Sequence, residues 1–302
     1  RSGAPRCRRR GGPRMTERVD DGTVRPDGTE RLARCPSAGL LLDVRDEGPV
    51  DGAPVLLLHG FPQDRTSWDR LAPALHAAGL RTLAPDQRGY SPGARPRGRG
   101  AYRLELLVED AVAVLDAAGV ARAHVLGHDW GGIVAWALAA HRPERTASLT
   151  VASVPHPRAL SRSLLRSGQA LRSAYVAAFQ LPRLPETVLG PRLENLLCRS
   201  GLPAAEAARY ASRMQQPGAL TAALDWYRAV PLSRLRPGTV DVPTTYAWGN
   251  RDPALGRRAA ELTAEHVRGP YRFVELDAGH WLPETRPEQL AALVVARAGG
   301  AG

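Results

Sequence analysis

The strongest chemical signal in the sequence is the hexapeptide Gly127-His128-Asp129-Trp130-Gly131-Gly132. It follows a short apolar run, His124–Leu126, and opens a stretch with helical periodicity, so it sits where a strand turns sharply into a helix. Glycines are needed around such a turn because a Cβ would crowd it. Asp129 occupies the apex, where many proteins with this motif carry serine. A carboxylate that attacks an alkyl carbon forms an ester that water can cleave, whereas a serine would form an ether. The expected target is therefore saturated carbon. Taken alone, the hexapeptide fits equally well an ordinary helix N-terminus with Asp129 as its N-cap.

Three further segments supply partners. His59-Gly60-Phe61-Pro62 follows the apolar run Val55–Leu58. A loop there offers one backbone N–H to an oxyanion, and the residue after the nucleophile offers the other, which nominates Phe61 and Trp130. His280, in Gly279-His280-Trp281, follows the last predicted strand and is the candidate base that activates water. Asp252, in Trp248-Gly249-Asn250-Arg251-Asp252, follows the preceding strand and can fix the imidazole tautomer. Each is unremarkable alone, a turn, a loop histidine and a turn aspartate. Together they run in the order nucleophile, acid, histidine, each after a strand.

The elements that must position these residues alternate along the chain. Predicted strands cover Leu40–Val44, Val55–Leu58, Thr82–Ala84, His124–Leu126, Ser148–Ala152, Thr244–Ala247 and Arg272–Leu276. Predicted helices cover Trp68–Ala78, Leu104–Ala118, Gly132–Ala140, Arg257–Val267 and Pro287–Ala298. This alternation predicts an α/β fold with a mostly parallel sheet flanked by helices. It lapses between His156 and Val230, where Pro157, Pro182, Pro185, Pro191, Pro203 and Pro217 break a helical stretch with no strong strand. Residues 156–230 are thus expected to form an inserted helical cap over the carboxyl ends of the strands, on a core of residues 31–155 and 231–302.

Composition bounds the function class. All 41 basic residues of the 302 are arginine, and six fall in the first 14, which hold no acid; the rest carries a net charge of only +5. That distribution argues against nucleic acid as a partner and marks residues 1–30 as an expected disordered leader. No run reaches about 18 apolar residues, so no membrane span is expected. Cys7, Cys35 and Cys198 lie far apart without metal-ligand spacing, which indicates neither a disulfide framework nor a structural metal and fits a cytoplasmic setting. The oligomeric state leaves no signal in the sequence.

Over about residues 35–297 the chain resembles the α/β-hydrolase superfamily, and within it the epoxide hydrolase branch, through HGFP, GHDWGG, WGNRD and GHW. The resemblance implies Asp129 as nucleophile, His280 as base and Asp252 as its partner, with no metal or organic cofactor. It also implies two cap tyrosines that protonate the ring oxygen. Tyr175 in YVAAFQ and Tyr227 in DWYR match those positions, with Asp225 standing where the family usually has asparagine. Opening an epoxide yields an alkoxide that needs an acid of about phenol strength, whereas a departing halide needs only N–H donors. A haloalkane or haloacid dehalogenase with the same triad is the nearest alternative, but it typically has asparagine where this chain has Phe61. A non-catalytic protein holding an apolar ligand is the other. Trp226, Phe179 and Trp281 are expected as apolar walls for a small apolar epoxide-type substrate, and His156 as a residue facing the pocket from the cap hinge; His59 and His128 read as structural.

Overall fold

The computed structural model describes residues 22–24, 30–164, 174–236 and 238–300, with side chains from residue 31 and, in the second long stretch, from residue 176. Ten strands occur among them: β1 (Gly22–Val24), β2 (Glu30–Leu32), β3 (Arg34–Ser37), β4 (Leu40–Glu47), β5 (Ala53–Leu58), β6 (Leu80–Pro85), β7 (Ala123–His128), β8 (Thr146–Ala152), β9 (Thr244–Gly249) and β10 (Tyr271–Leu276). Eight form one sheet in the order β10-β9-β8-β7-β5-β6-β4-β3. β10, β9, β8, β7, β5 and β6 run parallel, while β4 and β3 close one edge antiparallel.

The two faces of the sheet follow from the period of two along β5. Leu56 and Leu58 point into one core with the helices Leu104–Ala117 and Trp130–His141. Val55 and Leu57 point into another with the helices Ala72–Ala77 and Pro287–Ala298. Each fully buried leucine of this kind contributes about 1.5–3 kcal/mol of transfer free energy. β5 is apolar on both faces because helices cover both, as a parallel sheet requires.

Between β8 and β9 the described chain carries the α-helices Pro157–Leu164, Ala174–Ala178, Leu184–Leu189, Leu193–Arg199, Ala204–Met214 and Ala219–Ala229. Ala204–Met214 is fastened to the rest by ion pairs of Arg213 with Asp64 and Asp86 and of Glu206 with Arg70. Gly22–Val24, inside the segment expected to be an unstructured leader, pairs antiparallel with Glu30–Leu32; residues 1–21 and 25–29 lie outside the described residues. Among the described residues no helix is long and apolar enough to cross a membrane.

Candidate active site

β7 ends at His128, the next helix starts at Trp130, and Asp129 makes the turn between them at φ 49° and ψ −122°. A side chain in that left-handed region costs on the order of 1–3 kcal/mol, so the surroundings must enforce it. They do so by close approach: a Cβ on Gly131 would lie 2.0 Å from the Leu58 carbonyl oxygen, and one on Gly127 would lie 2.5 Å from that of Gly131. The Asp129 side chain does not cap the helix. Its Oδ1 instead accepts the Phe61 N–H at 2.8 Å, and its Oδ2 lies 3.6 Å from Nε2 of His280. The N-cap alternative is thereby removed.

His280 and Asp252 arrive on loops after β10 and β9, whose strands pair side by side. Nδ1 of His280 donates to Asp252 Oδ2 at 2.7 Å. Asp252 is itself oriented, since its Oδ1 accepts the N–H groups of Ala254 and Leu255 at 2.7 and 3.0 Å. With Nδ1 committed to Asp252, Nε2 faces Asp129. Burial by itself would lower the basicity of His280, but the Asp252 and Asp129 carboxylates outweigh it and push its pKa up to about 10. Burial likewise opposes ionisation of Asp129, yet His280, His128 and the Phe61 N–H hold its carboxyl below the usual range. At 3.6 Å the His280–Asp129 contact is longer than a hydrogen bond and acts through charge.

An aromatic shell adjoins the carboxylate. The Tyr227 ring meets Trp130, Phe179 and Phe61 edge-on, with centroids at 4.8, 5.1 and 5.7 Å. Gln180 donates to the Tyr227 carbonyl at 2.9 Å, so the two tyrosine-bearing segments singled out in the sequence touch each other. Trp281 lies edge-on to His280 and donates to Ser200 Oγ at 2.9 Å, tying the histidine loop to the inserted helices. Among the described residues no group of three or more His, Cys, Asp or Glu is placed to hold a metal.

A family model for the alpha/beta hydrolase fold matches residues 53–287. The chain belongs to the alpha/beta hydrolase family. Similar proteins place it on the epoxide hydrolase branch. It is 34% identical to epoxide hydrolase A of Mycobacterium tuberculosis over 88% of this chain and 96% of that protein. It is 37% identical to the AB hydrolase superfamily protein YfhM of Bacillus subtilis over 85% of this chain and 94% of that one. Among solved structures, epoxide hydrolase A from Mycobacterium thermoresistibile superposes with a TM-score of 0.77 at 29% identity, covering 88% of this chain and 97% of that one.

Not every nominated residue of this hydrolase reaches the site. His156 does not: Nε2 bonds the Gly238 carbonyl, Nδ1 accepts the Arg158 N–H, and its ring contacts Trp136 and His266. Trp226 is 1% exposed and packs behind Trp130 and Tyr90, with its indole N–H on the Arg88 carbonyl; it backs the shell. Tyr175 belongs to the helix Ala174–Ala178, but its side chain lies outside the described residues. Sequence reasoning missed Gln63, Ser153 and Glu284. Ser153 donates to the His280 carbonyl at 2.5 Å, and Nε2 of His128 contacts the same oxygen at 3.0 Å. Position gave the available clue, for Gln63 follows HGFP directly and Glu284 lies four residues past His280.

Proposed function

We propose that this hydrolase opens a small apolar epoxide to a vicinal diol through an ester on Asp129. The observation that carries the reading is the split environment of that carboxylate, with Oδ1 on the Phe61 N–H and Oδ2 turned to His280. Oδ2 attacks a ring carbon, the C–O bond breaks, and the oxygen takes a proton from Tyr227 with Tyr175 as second donor. Relatives named epoxide hydrolase support that choice of substrate. The N–H groups of Phe61 and Trp130 then hold the ester carbonyl oxygen, and one such donor is typically worth about 2.7–4 kcal/mol in the transition state.

Alkylation changes the histidine as well. While Asp129 is ionised, the two carboxylates keep His280 protonated. Esterification neutralises Asp129 and one of the two supports disappears, so His280 passes its proton to the phenolate left on Tyr227 and becomes a base that can take a proton from water and hand it to the departing diol oxygen. That water attacks Cγ of the ester and releases the diol. Residues 156–230 serve as the cap, with Phe179 and Tyr227 walling the substrate from above and Phe61, Trp130 and Trp281 from below.

Isotope tracing of a single turnover in ¹⁸O-water tests the covalent step. The label is expected in the Asp129 peptide and not in the diol, because the diol oxygen comes from Oδ2. Asp129→Ala should be inactive. Label in the diol after one turnover, or activity in Asp129→Ala, would overturn the mechanism.

A further inference from the structure

We propose that Glu284 is a positioning residue of this site, which acts through Gln63 to fix the backbone turn that holds the Asp129 carboxylate and ties that turn to the helix Ala204–Met214. The inference rests on the function proposed above and deepens it. Glu284 is 3% exposed. Its Oε1 accepts two hydrogen bonds, from Gln63 Nε2 at 2.6 Å and from the Tyr210 hydroxyl at 2.9 Å. Tyr210 belongs to Ala204–Met214, and Gln63 follows the HGFP turn. Gln63 Oε1 accepts the Gly60 N–H at 2.9 Å and meets His128 Nδ1 at 2.8 Å. The residue after Gly60 is Phe61, whose N–H holds Asp129 Oδ1.

The direction of the Gln63 amide is what matters. A backbone N–H is only a donor, so Gly60 requires the amide oxygen, and the amide nitrogen must then find an acceptor on the other side. Glu284 Oε1 is that acceptor. With an apolar side chain at 284 the buried amide nitrogen is orphaned. It can then flip, which sets N–H against N–H at Gly60, or drag the turn away from Asp129. Either outcome displaces the Phe61 donor from the position in which the ester oxygen develops charge. A 2.4 Å approach between a Cβ built on Gly60 and the Asp129 Cβ shows how little clearance the turn has.

Charge on Glu284 is not required. Its Oε2 is buried without a hydrogen-bond partner among the described residues. Burial, reinforced by Glu206 and opposed by the Gln63 and Tyr210 donors, pushes its pKa up to about 7. Glu206 and Tyr210 face it from Ala204–Met214, Arg70 reaches its backbone carbonyl, and His128 lies beyond Gln63. Protonated or not, Oε1 remains an acceptor, and so would the amide oxygen of glutamine.

The test compares Glu284→Gln with Glu284→Leu in the full chain, using styrene oxide. Wild-type turnover is measured first, and its absence refutes the proposed function while leaving the structural readouts below to judge Glu284. In Glu284→Leu, kcat is expected to fall about 10- to 100-fold with KM nearly unchanged, because transition-state stabilisation is what is lost. Glu284→Gln should stay within about threefold of wild type, since it supplies the same acceptor. Independently of turnover, the Gly60 amide ¹H–¹⁵N resonance should move in Glu284→Leu and stay in Glu284→Gln. If the leucine variant does not fold, Tyr210→Phe, which deletes one donor without a cavity, should still lower kcat. Stability supplies a further reading. A carboxyl whose folded value is raised contributes stability that is complete below its unfolded value of about 4.5 and is lost as pH rises through about 7. The Tm of wild type should therefore fall relative to Glu284→Gln between those values. Wild-type kcat and an unmoved Gly60 amide in folded Glu284→Leu, or equal damage in both variants, would overturn the proposal; so would an unchanged kcat in Tyr210→Phe.

Discussion

Replacing Asp129 with asparagine should turn His280 from an acid into a base without any substrate. The amide has nearly the shape of the carboxylate but no charge, so it reproduces the electrostatics of the esterified enzyme. His280 Nε2 lies 3.6 Å from Oδ2. Two unit charges at that separation, with an effective dielectric constant of about 20, attract by about 4–5 kcal/mol, equivalent to about three pH units of imidazole basicity. Starting from about 10 in the wild type, the pKa of His280 in Asp129→Asn should therefore drop to near neutrality, with Asp252 still holding Nδ1. The sign follows from charge alone: removing a neighbouring anion disfavours imidazolium. Titration of the imidazole ¹⁵N resonances from pH 5 to 11, assigned with His280→Gln, reads the value directly. If His280 titrates at the same pH in both proteins, Asp129 is not what keeps it protonated. Esterification then could not release it as a base.

Tyr227→Phe should cut epoxide turnover by about 10²–10⁴-fold, the usual worth of a general acid, and leave the unfolding midpoint close to wild type because the ring and its aromatic neighbours remain. A variant with undiminished kcat/KM would remove Tyr227 from the mechanism. Gly131→Ala should lose about 3 kcal/mol or more in urea unfolding, because the added carbon would sit 2.0 Å from the Leu58 carbonyl oxygen and that strand cannot retreat from its neighbours.

Legibility from sequence followed how local the cause was. All seven predicted strands are present because each is a run of apolar residues punctuated by turn formers. β3 escaped notice: its residues RCPS contain Pro36 and are buried only at alternate positions, as an edge strand permits. The helix expected over Trp68–Ala78 divides into a 3₁₀ turn, Arg65–Trp68, and Ala72–Ala77, where Pro73 fits the first turn of a new helix. Asp129, His280 and Asp252 could be found because each follows a strand in a recognisable motif. Glu284 and Gln63 could not be paired, since they are 221 residues apart and only the folded sheet brings their loops together. His156 misled for the opposite reason: a histidine beside two prolines looks available, but backbone groups already occupy both of its ring nitrogens.

The bonds that Asp129 makes and the surfaces that surround it come from different parts of the chain. Its donor, its histidine and that histidine's aspartate stand at the ends of strands locked in one sheet, whereas Tyr227 and Phe179 come from the excursion between β8 and β9. Exchanging that excursion for one of another length or shape would leave every strand register untouched. A lineage can thus vary the surfaces that face the carboxylate while inheriting an unaltered arrangement of the carboxylate, its donor and its histidine.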